Sequence, residues 1–166
     1  MNKRIYITGA PGTGKTWFAE RITKEMGIQF YDMDDISWKK KYTIMRSKEE
    51  KAKILKKIVD TEKWIIAGCG SSYIGDLPSR AQEIIILREL LVVEIFRLVK
   101  RYISRKFNKE PCTLSGTWEV IWWNFTSFHL PSGKMNQFFT KLKIKYPKKI
   151  HLLSKKGIQN YPQKHL

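Results

Sequence analysis

A chain of 166 residues with 42% hydrophobic and 13% aromatic side chains carries enough apolar material for a packed core and is too short for a multidomain scaffold, so disorder as the dominant state is excluded. Lys and Arg number 32 against 15 Asp and Glu, and the formal charge of +17 points first to phosphate-bearing partners: nucleotide, nucleic acid or lipid. Cys69 and Cys112 form neither a CxxC pair nor a disulfide framework and read as free thiols in a reducing compartment. With no export signal after Met1 and no apolar run approaching the ~20 residues of a membrane helix, the expectation is a cytoplasmic protein without membrane attachment.

Lys3 to Thr8 reads as a short buried strand, with Ile5, Tyr6 and Ile7 in a continuous apolar run. A glycine-rich turn follows, then Phe18, Ile22 and Met26 recur at helical spacing up to Gly27. Ile28 to Tyr31 is a second strand, ending in the acidic group Asp32, Asp34 and Asp35. Ser47 and Glu50 have the form of a capping box for a helix that runs to about Thr61 with Ile54, Leu55, Ile58 and Val59 on its apolar side. Trp64 to Ala67 is a third strand, stopped by Gly68-Cys69-Gly70-Ser71-Ser72. Glu83 to Leu87 is a fourth, and from Glu89 to about Phe107 a long helix carries Leu91, Ile95, Leu98 and Tyr102 on its buried side. From Asn108 to Pro147, punctuated by Pro111, Gly116, Pro131 and Gly133, two short helices around Trp118 to Phe128 and Phe138 to Tyr146 are expected over the sheet. Lys149 to Leu153 is a fifth strand and Lys155 to Tyr161 a closing helix. The repeated strand-helix order predicts an α/β fold, a three-layer α/β/α sandwich on a parallel sheet, as one domain over residues 1–166.

Gly9-Ala10-Pro11-Gly12-Thr13-Gly14-Lys15-Thr16 fits the phosphate-loop pattern Gly-x-x-x-x-Gly-Lys-[Ser/Thr] in its required place between a strand and a helix. Glycines let successive backbone N–H groups wrap a nucleotide phosphate, and the helix that follows adds its positive end. Lys15 then reaches the β- and γ-phosphates, and the Thr16 hydroxyl completes the coordination of Mg²⁺. The loop does not by itself choose among kinases, GTPases and motor ATPases. No Asn-Lys-x-Asp guanine signature follows the fourth strand.

The phosphate loop occurs in order with Tyr31-Asp32-Met33-Asp34 and Trp38, Trp64-Ile65-Ile66 and Gly68, Arg80, Arg97 and Arg101, Glu119 with Ile121-Trp122, and Ile150-His151-Leu152-Leu153-Ser154. In this series the chain resembles the adenylate-kinase-like small kinases, most closely the bacterial FlaR-type DNA topology modulation proteins. The resemblance implies a P-loop kinase core of five parallel strands in the order 2-3-1-4-5, with a lid after the fourth strand. Ala67 stands where that family usually ends its third strand in Asp; Ala67-Gly68-Cys69-Gly70 is instead similar to the glycine-rich strand end of shikimate-kinase-like enzymes. The metal and acceptor role therefore passes to Asp34, with Asp32 in reserve. By resemblance Asp34 holds the Mg²⁺ hydration shell or orients an acceptor hydroxyl, against the plain alternative of an acidic loop or helix cap.

Arg97, Arg101 and Arg105 recur every four residues and form one stripe on the long helix, which is either a solvated face or a phosphate-binding one. On the family pattern Arg97 lies over the adenine and Arg101 and Arg105 reach phosphates as the lid closes. Trp118, Trp122 and Phe125, at i, i+4 and i+7, are expected to be a buried helix face rather than a stacking platform for bases. Arg46 and Arg80 are candidate ligands for an acceptor phosphate, while His129, His151 and His165 are too scattered for a metal site. The function expected is an ATP- and Mg²⁺-dependent phosphotransferase acting on a nucleotide, nucleoside or other small acceptor. Lys15, Asp34 and Arg101 would be its catalytic residues, residues 35–62 would cover the acceptor, and residues 101–147 would form the lid and inserted helices. The alternative is a nucleotide-regulated DNA-binding topology modulation protein without robust kinase activity. A nucleotide-binding protein left a poor catalyst by Ala67 is the third reading.

Overall fold

The computed structural model of the chain describes residues 3–40, 43–69, 73–110 and 112–161. In chain order the elements are β1 (Arg4–Gly9), α1 (Lys15–Met26), β2 (Phe30–Asp32), α2 (Met33–Ser37), β3 (Trp38–Lys40), β4 (Ile44–Met45), α3 (Lys48–Val59), β5 (Trp64–Ala67), α4 (Leu77–Arg80), β6 (Glu83–Leu87), α5 (Leu91–Phe107), α6 (Leu114–Asn124), a π-helical turn over Phe125–His129, α7 (Lys134–Lys145), β7 (Ile150–Leu153) and α8 (Lys155–Asn160). Gly70, Ser71 and Ser72 of the glycine-rich stretch, Pro111 and His165 lie outside the described residues.

The main sheet is five-stranded and parallel, in the order β2-β5-β1-β6-β7. That is the expected order 2-3-1-4-5 once the small antiparallel ribbon β3–β4, which the sequence reading missed, is set aside.

Alternation within each strand explains why its whole length is apolar. Tyr6, Trp64, Ile66, Ile84 and Ile86 point to one face, where Leu55 and Val59 of α3, Leu77 of α4 and Phe139 and Leu142 of α7 cover them. Ile5, Ile7, Ile65, Ala67, Ile85 and Leu87 point to the other, where Phe18, Ala19 and Ile22 of α1 and Ile158 and Tyr161 at the C-terminal end cover them. Both faces are covered, so a further polar side chain on either side of β1, β5 or β6 costs stability unless it finds a partner there.

Helix α3 begins with the complete capping box expected of Ser47 and Glu50: the Glu50 N–H donates to Ser47 Oγ at 3.2 Å and the Ser47 N–H to Glu50 Oε2 at 2.8 Å. Helix α5 buries Glu94 and Leu98, with Leu91, Ile95 and Tyr102 half-buried as expected.

The expectation for the aromatic helix is overturned. Trp118, Trp122 and Phe125 are 64%, 60% and 36% exposed. Helix α6 is apolar on more than one side and packs chiefly on α5 and the π-helical turn, burying Ile121 and Asn124, so the stripe through Trp118 faces outward. No described helix is long and apolar enough to cross a membrane.

Candidate active site

The carboxyl ends of β1, β2 and β5 meet at one edge of the sheet, and the chain there is tied down by backbone geometry before any side chain acts. Gly9 ends β1 at φ +151°, and a Cβ on it would sit 2.6 Å from the Leu87 carbonyl oxygen. Gly12 has φ +85°, with the Glu94 backbone 2.7 Å from where its Cβ would stand, and Gly14 caps α1 at φ +90°. All three conformations are ones that L side chains rarely adopt. The Ala10 carbonyl closes the loop from inside: it accepts from the Thr13 N–H at 3.3 Å, Thr13 Oγ1 at 2.8 Å and Lys15 Nζ at 2.7 Å.

Across the loop, Thr16 Oγ1 lies 3.3 Å from Asp32 Oδ2. Asp32 also caps α2, its Oδ1 accepting the Asp34 N–H at 2.8 Å. The acid brought against Thr16 is thus Asp32, held in reserve by the sequence reading, while Asp34 stands two residues on and exposed on the cleft wall. Among the described residues no three His, Cys, Asp or Glu side chains converge as a metal cage. Two neighbouring hard oxygen donors beside a phosphate loop nevertheless suit Mg²⁺, which is held by one or two protein groups together with nucleotide phosphates.

A cleft of about 680 Å³ opens over these groups, a size that suits a small ligand. The phosphate loop, Thr16 and Trp17 line it together with Asp32 and Asp34, with Ala67 and Cys69 at its floor, and α5 contributes Arg97, Arg101 and Arg105, α6 Trp123. Spacing had put the three arginines on one stripe, and the structure turns that stripe into the cleft. Arg97 Nη1 donates to the Gly12 carbonyl at 2.9 Å and Nη2 pairs with Glu89 at 3.1 Å, so this guanidinium braces the phosphate loop. Arg105 pairs with Glu110 at 3.7 Å. On the floor, Cys69 Sγ donates to the Gly9 carbonyl at 3.3 Å, and burial pushes its thiol up against the opposing pull of Lys15.

Two candidates do not join the cleft. Arg46 Nη1 donates to the carbonyls of Asp35, Ile36 and Trp38, clamping the end of α2 onto β3. Arg80 pairs with Asp60 at 3.0 Å on the outer surface. Of the region 35–62, Trp38 alone lines the cleft among the described residues.

A cluster that the sequence reading missed lies behind the loop. Glu94 is buried on α5, and its Oε2 is shared by Asn124 Nδ2 at 2.9 Å and His129 Nε2 at 2.8 Å. Its signal was present: position 94 falls at i+3 from Leu91 and i−4 from Leu98, inside the stripe assigned to the core.

The model of the ATPase family associated with various cellular activities (AAA) matches residues 5–90, just over half of the chain. The chain belongs to the AAA ATPase family. The matched stretch of the AAA family runs from β1 to the start of α5 and so contains the phosphate loop, Asp32, Asp34 and the floor of the cleft, but not the arginine wall. The uncharacterized protein YqaC of Bacillus subtilis (strain 168) is 29% identical over 110 residues, which are 66% of this chain; the chain spans 62% of that relative's length. Over nearly the whole chain the fold is similar to that of small kinases. It is similar to shikimate kinase from Acinetobacter baumannii in complex with shikimate (13% identity, covering 96% of this chain and 88% of that one, TM-score 0.58). It is also similar to a gluconokinase from Sinorhizobium meliloti 1021 (15%, 92% and 82%, 0.54) and to shikimate kinase from Bacteroides thetaiotaomicron (16%, 98% and 95%, 0.53).

Proposed function

We propose that the protein is an ATP- and Mg²⁺-dependent phosphotransferase acting on a nucleotide, a nucleoside or another small acceptor. The observation that carries this reading is one cleft lined together by a phosphate loop, two carboxylates and three arginines. A phosphate loop alone would serve any nucleotide hydrolase; arginines in the same cleft serve the charge that spreads over a transferring phosphoryl group. The likeness to small-molecule kinases over nearly the whole chain supports the same reading for the part beyond Leu90, where the family match ends.

In this proposal the backbone N–H groups of Gly9 to Gly14 cradle the phosphates, and Lys15 exchanges the Ala10 carbonyl for the β- and γ-phosphates. Asp32 takes over the metal-side role first given to Asp34, because it is the acid in contact with Thr16. Bound Mg²⁺ would supply charge neutralisation at the phosphates, held through Thr16 and Asp32. Asp34, exposed on the cleft wall, orients the acceptor hydroxyl and receives its proton as the new oxygen–phosphorus bond forms and the bond to the departing ADP breaks. Arg101 and Arg105 meet the transferring phosphoryl group, while Arg97 keeps the loop in place rather than covering adenine. Trp38 marks the acceptor end within residues 35–62, and residues 101–147 form the lid. A cytoplasmic setting and the FlaR-type likeness belong to this reading.

The test is ADP release from Mg-ATP with a panel of nucleoside monophosphates, nucleosides and small hydroxyl acceptors, with Lys15→Ala as control. Acceptor-dependent ADP that disappears in Lys15→Ala is the expected result, and Lys15-dependent ATP binding without turnover on any acceptor would overturn it. The charge of +17 favours nucleotide-regulated DNA binding as the second reading. Retention on DNA that falls steeply across a salt series, with no ATP turnover, would establish it instead.

A further inference from the structure

We infer that Asn124 is a positioning residue for the phosphate loop, held by Glu94 and His129; this rests on reading the loop as a nucleotide site. Asn124 is fully buried at the last position of α6. Its Nδ2 donates to Glu94 Oε2 at 2.9 Å and to the Pro11 carbonyl at 3.3 Å, and an amide nitrogen has two hydrogens with which to serve both. The reverse amide orientation would set Oδ1 against a carboxyl oxygen and a carbonyl oxygen, so the two acceptors fix which way the side chain points. Oδ1 itself has no partner among the described residues, so the amide is held there by its donor side alone.

The π-helical turn makes the cluster possible. Asn124 and His129 are five residues apart, a spacing that an α-helix places on different sides and that a π-helix, bonded i to i+5, brings to one side. Both side chains consequently reach the same oxygen of Glu94. Glu94 in turn presses its backbone onto Gly12, at the approach only glycine allows.

The consequence for the loop follows from peptide planarity. The Pro11–Gly12 peptide is trans, so its C=O and N–H point in opposite directions. Turning the Pro11 carbonyl to Asn124 turns the Gly12 N–H away from α6. Arg97 Nη1 holds the next carbonyl, that of Gly12, in the same manner. Two consecutive peptide planes are thereby set from outside the loop. A phosphate loop binds through the directions of its N–H groups, so the clamp acts on phosphate affinity without touching phosphate.

The experiment compares Asn124→Asp with the exchange Glu94→Gln/Asn124→Asp, following melting temperature and Mg-ATP binding by titration calorimetry. Asn124→Asp keeps the side-chain shape and removes both donors, so stability and affinity should fall together. In the exchange, the new amide nitrogen at position 94 takes the place of the oxygen that both neighbours share and donates to the new carboxylate at position 124 and to His129 Nε2 in its acceptor tautomer, but nothing donates to the Pro11 carbonyl. The expected result is a melting temperature largely restored with Kd still raised about tenfold, equivalent to about 1.4 kcal/mol. A restored melting temperature together with wild-type Kd overturns the inference, because the cluster would then be holding the fold alone. If neither variant folds, His129→Ala at its half-buried position removes one partner of Glu94; a raised Kd in folded protein supports the inference and an unchanged Kd overturns it. Wild-type protein that binds Mg-ATP no better than Lys15→Ala defeats the nucleotide reading itself, and this inference with it.

Discussion

Gly12→Ala tests how closely α5 is built onto the phosphate loop. The new Cβ would stand 2.7 Å from the Glu94 carbonyl oxygen and 2.9 Å from its Cα, and both atoms are helix backbone that no rotamer change can move aside. Holding alanine at φ +85° costs about 1–2 kcal/mol, and overpacking against a rigid neighbour about 1–3 kcal/mol more. Gly27→Ala supplies the reference: φ there is +63° and nothing lies within 4 Å of the added carbon, so only the backbone cost applies. Both substitutions reduce unfolded-chain freedom alike, which cancels in the comparison. Urea denaturation followed by tryptophan fluorescence should place Gly12→Ala below Gly27→Ala by about 1–3 kcal/mol at equal m-value. Gly14→Ala, with only the flexible Arg97 Nη1 at 3.9 Å, should resemble Gly27→Ala in stability. Equal stability losses for Gly12→Ala and Gly27→Ala would refute the close packing of α5 on the loop.

Ser47→Ala removes the capping box of α3 and should cost about 1 kcal/mol in urea denaturation, with Mg-ATP affinity unchanged because α3 contributes no residue to the cleft. Arg46→Lys replaces a guanidinium serving three carbonyls by an ammonium that cannot reach them all, and a loss of about 1–3 kcal/mol is expected; intact stability with weakened acceptor binding would instead return Arg46 to the site. Asp32→Asn should raise the Mg²⁺ concentration needed for half-maximal ATP turnover, whereas Asp34→Asn should lower turnover at saturating Mg²⁺; the opposite pattern would restore Asp34 to the metal. Burial pushes the Cys69 thiol above its ordinary value of 9.0, so the folded chain keeps a proton that the unfolded chain releases. Stability should therefore be complete below about pH 9 and fall as pH rises beyond it. Cys69→Ala should flatten the first part of that fall, while Tyr6 and Tyr161, also pushed up by burial, extend it above pH 10.

The central strands β1, β5 and β6 were legible because they are buried on both faces, which writes them as short continuous apolar runs. Ile5 to Ile7, Trp64 to Ala67 and Ile84 to Leu87 all appear where the runs put them. Helix α3 was legible from its cap. The β3–β4 ribbon was not, since Trp38–Lys40 and Ile44–Met45 are too short and too polar in context to show a period, and α4 spans only Leu77–Arg80. The aromatic helix failed for a different reason. Periodicity reports that one helix side differs from another, and a helix with Ile121 on one side and Trp118 and Trp122 on another does not say which side meets a neighbour.

The site divides along the same line. A phosphate loop is a local object, so its residues, order and flanking elements can be read from Gly9 to Thr16 and the stretches on either side. Whether Asp32 or Asp34 serves Thr16 depends on which carboxylate the end of β2 turns toward α1. Asp32 caps α2 with one oxygen and meets Thr16 with the other; that division of labour exists only once the two elements are packed. The arginines show how far a pattern reaches: a four-residue repeat establishes a common face, but the cleft gives the face its meaning, and Arg97 proves to commit both terminal nitrogens to Gly12 and Glu89. Glu94 sits at the limit. An acid in an apolar stripe signals a buried partner, yet its partners Asn124 and His129 lie 30 and 35 residues away and share a side only because the chain makes a π-helical turn between them. No helical period used to read a sequence contains that turn, so the element that braces the phosphate loop is the one least visible beforehand.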